Sequence, residues 1–442
     1  MSLRQALRRG LPVSSRYFAP KQTAGFSAAA AEDSPSAHEP YSYVPPGRNH
    51  LHVPGPVNIP QSVLQAMQMP GQNHRDPFFQ PIFRKLLQDV KFLFGTTKAT
   101  SFIFSGTGTG GWESALTNTL SPGDKVVAFR YGLFSHLWID MMRRLGLDVR
   151  VVDERWGDGA DENKLEEILR EDTEKKIKAV CVVHNETTTG VTSDIGGCRK
   201  AMEASSHPAL LMVDGVSSIG ALDFQMDKWG VDIAITGSQK ALSMPTGIAV
   251  VCASDKALEA RKTATLPRVY YDWDDQLKTN PEGNTPYTPS LHLLYGLRES
   301  LRLLKQEGME NVVARHKRLA TGTRKAVEGW GMELLCKTPR WISDTLTVVE
   351  TPGVDSNKVV KNAYSKYNLS LGIGLFQVNG KVFRIGHLGN MDELMVCSAL
   401  SGTEMALIDS GVKVTPGSGV GRAIEYFQQT SSCIPTRESG LP

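Results

Sequence analysis

A chain of 442 residues is too long for one small core, and one or two domains plus a tail are expected. Its apolar fraction of 40%, charged fraction of 21% and net charge of +3 are those of a globular protein in water, and no basic stripe with interleaved aromatics points to a nucleic acid. The longest apolar runs are strand-sized, which argues against a membrane span; six scattered cysteines without a C-x-x-C pair read as free thiols, and ten histidines show no metal-ligand spacing.

Residues 1 to 31 carry Arg4, Arg8, Arg9, Arg16 and Lys21, with no acid before Glu32. Leu3, Leu7 and Leu11 recur among them at helical spacing. This arginine-rich, acid-poor pattern is that of an organellar transit peptide. Arg16-Tyr-Phe18 before Ala19 resembles a mitochondrial processing site, so a mitochondrial location is expected. The peroxisome is the alternative address, although Ser439-Gly-Leu-Pro442 is not an S-K-L type tripeptide. A basic tail without an address is the bland reading. The expected division is 1–40 as this segment, 41–305 as a large domain, and 306–442 as a smaller one.

Pro40 to Pro56 reads as irregular. Asp76-Pro77 starts a helix carrying Phe79, Ile82, Phe83, Leu86, Val90 and Leu93 at the 3.6 period, and Gly95 stops it. A strand at Ser101–Phe104 then runs into Ser105-Gly-Thr-Gly-Thr-Gly-Gly111 and a helix from Trp112 to Leu120. Strand, glycine turn and helix N-terminus together make an anion site. Gly106, Gly108 and Gly111 also fit G-x-G-x-x-G, so a dinucleotide has to be weighed. The next strand, Lys125–Phe129, ends at Arg130 where an NAD site wants an acid; NADP survives on Arg130.

Alternation continues with helix 135–145, strand 148–152, helix 162–170 and strand 177–183. Strands separated by helices imply a mostly parallel α/β sheet, with ligands gathered at the carboxyl edge. The polar loops at 105–111, 184–190, 214–218 and 236–240 would all open on that edge. From Pro289 a long amphipathic helix leads onward. Helix 309–329, a strand near 344–350, helix 355–367, a strand pair at 369–375 and 381–385, and helix 391–409 follow as a smaller α+β part.

Two strand ends carry the chemistry. Leu210–Asp214 ends in a carboxylate, and Val231–Ile235 is followed by Thr236-Gly-Ser-Gln-Lys240. Lysine is rare among such apolar runs because a buried ammonium is costly. One use recovers the cost: an amine of depressed pKa holds an aldehyde as a Schiff base. Asp214 and Lys240 would flank one planar cofactor, and pyridoxal phosphate needs this pair. Read singly, Lys240 is a solvated turn lysine and Asp214 a helix cap. Arg384, on the apolar strand Lys381–Ile385, reads either as a carboxylate ligand or as half of a structural ion pair.

These segments resemble the class V aminotransferases of pyridoxal-phosphate fold type I, and within them the serine–glyoxylate and alanine–glyoxylate enzymes. The resemblance runs from about Pro54 to about Phe427, through Gly106–Asp124, His184-Asn-Glu-Thr187, Val213–Ser218, Thr236–Lys240 and Phe383–Asn390. It implies that Lys240 carries the cofactor and Asp214 partners the ring nitrogen. It places Thr107, Gly108, Thr109 and Gln239 at the phosphate, Phe134 stacked on the ring, Thr187 near the phenolic oxygen and Val216 against the ring. It also implies a homodimer with shared sites, where Thr288 reaches the partner's phosphate and His74 and Arg75 the partner's substrate. Arg384 would bind the carboxylate of the amino-acid or 2-oxo-acid substrate. The expected reaction moves the amino group of serine or alanine to glyoxylate. A cysteine desulfurase of the same fold is one rival, although neither Cys336 nor Cys397 is well placed for it. An NADP-dependent oxidoreductase is another, and a cofactor-free binding protein a third.

Overall fold

The strand-sized apolar runs pair into two sheets. A computed structural model describes residues 46–433, so the transit-peptide reading of residues 1–31 and the tail at Ser439–Pro442 lie outside it. The larger sheet has seven strands: β2 (Thr100–Ser105), β3 (Lys125–Arg130), β4 (Asp148–Asp153), β5 (Ile177–Val183), β8 (Leu210–Asp214), β9 (Ile233–Gly237) and β10 (Ile248–Ala253). Their order is β2-β10-β9-β8-β5-β3-β4. All run the same way except β10, which is antiparallel to both β2 and β9. The strands β8, β9 and β10 are buried throughout, as continuous apolar runs covered by helices on both faces require.

The strand expected at Val231–Ile235 is Ile233–Gly237 in the structure. Thr236 and Gly237 stay in the ladder because β10 pairs with them, at Val250 and Ala249. The helix expected from Trp112 starts at Gly108 and runs to Thr119. Its first turn is glycine because the backbone lies against neighbours: a Cβ on Gly108 would come 2.4 Å from Val216 Cγ2, and one on Gly111 2.5 Å from Ile235 Cγ2.

The smaller sheet has the order β1-β12-β13-β11, with β11 at Leu346–Glu350, β12 at Leu369–Ile373 and β13 at Val382–Gly386. Its edge strand β1, His50–His52, comes from the segment that read as irregular, and it pairs in parallel with Leu369–Leu371. A second apolar core, including Leu319, Val327, Phe383, Ile385 and Leu400, lies under this sheet. Five described helices escaped the sequence reading: Gln61–Met67, Asp255–Arg261, Trp273–Thr279, and two with a shared cause. Ile195–Ala204 and Ser418–Gln429 each carry a pair of glycines, which weakens a periodicity argument. Among the described residues no helix is long and apolar enough to cross a membrane.

Candidate active site

Parallel strands put their carboxyl ends on one edge, and the four polar loops meet there around a cavity of about 250 Å³. Gly108 and Thr109 come from the glycine turn, Asn185 and Thr187 from the loop after β5, Asp214 and Val216 from the end of β8, and Gln239 and Lys240 from the turn after β9. Phe134, at the start of the helix Leu133–Arg144, lines it too, whereas Thr107 and Arg384 are not among the lining residues. Trp112, Ser217, Thr246 and the Gly55-Pro56 segment also line the cavity, and nothing in the sequence reading selected them.

The Lys240 turn is built by Ser238. The Ser238 hydroxyl donates to Pro245 O (2.7 Å) and accepts from the Ile248 amide (3.1 Å), closing the link from β9 to β10. Lys240 is only 9% exposed, and its Nζ donates to the Pro54 carbonyl. Gly55 sits so close to that amine, at φ +109°, that a Cβ would lie 2.4 Å from Nζ. Burial pushes the Lys240 amine down to about 8; Arg384 acts in the same direction, while Asp214 and Glu186 oppose it. Burial likewise pushes the Asp214 carboxyl up to about 7, although the Val216 amide donates to its Oδ1 at 2.8 Å.

Arg384 is buried on β13. Its Nε donates to Ile373 O (2.8 Å) and its Nη1 to Thr187 O (2.9 Å). Neither bond goes to a carboxylate, so the structural ion pair is not what holds it. A guanidinium has five N–H groups, and three remain for a ligand beside Thr187. Thr107 stands at the N-cap of the helix Gly108–Thr119, where its side chain makes no capping bond. Arg75 and Thr288 are exposed, and His74 packs edge-on against Phe79 at 6.5 Å, so the single chain does not bring these three to the cavity.

The residues fit pyridoxal phosphate. The uncapped end of a twelve-residue helix opens into the cavity through Gly108 and Thr109, where a phosphate belongs. Gln239 Oε1 is buried there without a protein partner, and a flip of the amide turns its NH2, a donor for phosphate, to the same place. The lysine for the aldehyde and the carboxylate for the ring nitrogen line the same space. The rivals lose their supports. Arg130 is held by Asp153 through two bonds of 2.6 and 2.8 Å, so it is not free to read a 2′-phosphate. None of the five described free cysteines lines the cavity, and burial pushes the Cys336 thiol up to about 11.

Fold and site together define a pyridoxal-phosphate-dependent transferase of fold type I, with a mostly parallel large sheet and a smaller α+β part. The aminotransferase class-V family model matches residues 51–369. The serine–glyoxylate aminotransferase of Methylorubrum extorquens is 57% identical over 87% of this chain and 97% of its own length. That of Arabidopsis thaliana is 54% identical over 89% and 98%. Among solved structures, a pyridoxamine–pyruvate aminotransferase from Mesorhizobium loti superposes with a TM-score of 0.81 at 26% identity, over 88% of this chain and 99% of that one. The chain belongs to the class V aminotransferases.

Proposed function

We propose that the protein transfers the amino group of serine, and of alanine as a second donor, to glyoxylate, giving glycine and hydroxypyruvate or pyruvate. The observation that carries this reading is one cavity lined by a buried amine at about 8 and a buried carboxylate, with the Arg384 guanidinium bonded to Thr187 of its wall. The names of the two relatives above support serine and glyoxylate; alanine as second donor rests on the sequence resemblance.

When bound, pyridoxal phosphate supplies an aldehyde to carry the amino group and a ring to accept the electron pair left at Cα. Gly108, Thr109 and Gln239 would hold the phosphate, and Phe134 and Val216 would enclose the ring. Asp214 would keep the ring nitrogen protonated, because a fixed anion favours the protonated form. Lys240 Nζ would take the Cα proton of the donor and deliver it to the cofactor's former aldehyde carbon, and in the second half-reaction would carry a proton the opposite way, onto Cα of the acceptor; an amine near 8 is a working base at neutral pH. Arg384 fixes the substrate carboxylate, and Gly55-Pro56 closes the cavity over the lysine. Serine with glyoxylate should yield hydroxypyruvate and glycine one for one. A purified protein that consumes neither serine nor alanine overturns the reading.

Arg384→Lys is expected to lower kcat/KM by about 10–100-fold, because an ammonium offers a point charge in place of parallel N–H donors. The loss should fall on donor and acceptor half-reactions alike, since every substrate presents a carboxylate. Steady-state kinetics of both halves checks this, and a loss confined to cofactor absorbance would remove Arg384 from substrate binding.

The active unit we infer is a homodimer in which Thr288, His74 and Arg75 serve the partner's site. In support, Thr288 lies beside the exposed apolar side chains Val269, Tyr270 and Tyr287, the two tyrosines stacked at 5.3 Å. Light scattering that returns a monomeric mass for the active enzyme refutes it. The address we infer for the chain is the mitochondrion, from five positive charges with no acid before Glu32. Residues 1–31 fused to a fluorescent protein should enter mitochondria; a cytosolic or peroxisomal signal overturns this.

A further inference from the structure

Glu186 is a buried charged side chain behind the cavity wall, near enough to act on Lys240 and Asp214, that the chemistry above does not use. It lies on the two-residue strand β6 (Asn185–Glu186), paired with β7 (Val191–Thr192), and it is 0% exposed. Its carboxylate faces the N-terminus of the helix Leu133–Arg144. Oε2 accepts from the Ser135 amide at 2.9 Å, and Oε1 accepts from the Thr188 amide at 3.1 Å and the Phe134 amide at 3.5 Å. Two further bonds join the same pair of turns: the Leu133 amide donates to Thr188 Oγ1 (3.1 Å), and Thr189 Oγ1 donates to Tyr131 O (3.2 Å). Between Glu186 and Thr188 stands Thr187, whose carbonyl holds Arg384 Nη1.

The fit around this carboxylate is close. A Cβ on Gly132 would lie 2.2 Å from Glu186 Cδ. Gly132 itself is extended, at φ −177°, so it is the carboxylate and not the backbone that demands glycine there. A buried carboxylate is costly unless its lone pairs are met and positive charge lies near. Here amides at a helix N-terminus meet it. The titratable groups that feel its charge are Lys240 from the turn after β9, Asp214 from the end of β8, Arg384 from β13 and the Tyr131 hydroxyl after β3.

We propose that Glu186 is a positioning residue of this site. Its carboxylate clamps the turn that carries Phe134 to the turn that carries Thr187, and so fixes the aromatic ring and the Arg384 guanidinium relative to each other across the cavity. The proposal rests on the transamination reading. It has two separable parts: place and charge. Glu186→Gln keeps the volume and removes the charge. Gly132→Ala keeps the charge and displaces the carboxylate.

Two measurements on the full chain test it. The first is kcat/KM of the holoenzyme for serine and for glyoxylate, taken with its melting temperature. Both variants should lose about 10–100-fold, because a displacement on the order of 1 Å in a bound group costs that much. The second is modification of the Lys240 amine by cyanate in cofactor-stripped protein, followed against pH by peptide mass spectrometry. In the wild type the midpoint should lie at about 8. In Glu186→Gln it should fall, because the anion that raises the amine's pKa is gone. In Gly132→Ala it should stay nearer the wild-type midpoint. Wild-type kcat/KM in both variants overturns the proposal, as does a lowered melting temperature with unchanged kcat/KM per folded molecule. If Glu186→Gln does not fold, Gly132→Ala alone decides. A wild type that shows the midpoint but no transamination overturns the function and leaves the clamp standing.

Discussion

Lys240→Ala is expected to abolish transamination, with turnover down by roughly four orders of magnitude or more, because one side chain is both the covalent anchor and the acid–base group. The fold should survive. The lysine makes one hydrogen bond, to the Pro54 carbonyl, and the turn that carries it is closed by Ser238 and not by its own side chain. Pyridoxal phosphate should still bind, because the open helix end at Gly108 and Thr109, Gln239 and Asp214 all remain. What disappears is the violet band of lysine-linked cofactor together with its trapping by borohydride. Absorbance of the variant and its single-turnover reaction with serine are the measurements. Near-normal turnover without added amines sinks the assignment.

Asp214→Asn should move activity and stability in opposite directions. Asparagine keeps an acceptor for the Val216 amide but loses the charge that holds the ring nitrogen protonated. An opposed charge at close range shifts a pKa by about one to three units, so activity at neutral pH should fall by up to about 10³-fold. In the cofactor-free protein the sign reverses. Burial raises the Asp214 carboxyl from its ordinary 3.8 to about 7. A carboxyl raised on folding contributes stability that is complete below its unfolded pKa and is lost as pH rises towards its folded one. Cofactor-free Asp214→Asn escapes that loss, and above pH 7 it should be more stable than the wild type by on the order of 2–4 kcal/mol. Denaturant melts at pH 5 and pH 8 check this: the gap between the two proteins should be narrower at pH 5 than at pH 8, and it closes only below about pH 4. A wild type that is the more stable of the two at pH 8 contradicts the assignment of a buried, ring-facing carboxylate.

The strand Leu210–Asp214 was legible because it is an apolar run that ends in a charge, and Lys240 because it stands between two such runs. Arg384 announced itself in the same way, by apolar neighbours on a strand. Glu186 did not. In sequence it belongs to a polar loop, where a carboxylate reads as solvated, and only the approach of the helix Leu133–Arg144 buries it. Pro54 and Gly55 were equally silent, because their contact with Lys240 spans 186 residues of chain. The first turn of the helix at Gly108 was misplaced for a related reason. Three glycines argue for a loop when only local propensity is weighed, and for a helix pressed against a sheet when packing is.

The edge strand His50–His52 bears on how this protein could be divided. A cut at 305/306, where the sequence suggests a boundary, would take the smaller sheet away from one of its own strands. The C-terminal piece would then carry Leu369–Leu371 as a bare edge, its ladder of amides and carbonyls open to any passing chain. Expressed alone, such a fragment is a template for aggregation. A soluble version would need the residues around His50 supplied as a separate peptide or rejoined at the other end, because the linear order of the chain and the order of its folding units do not coincide.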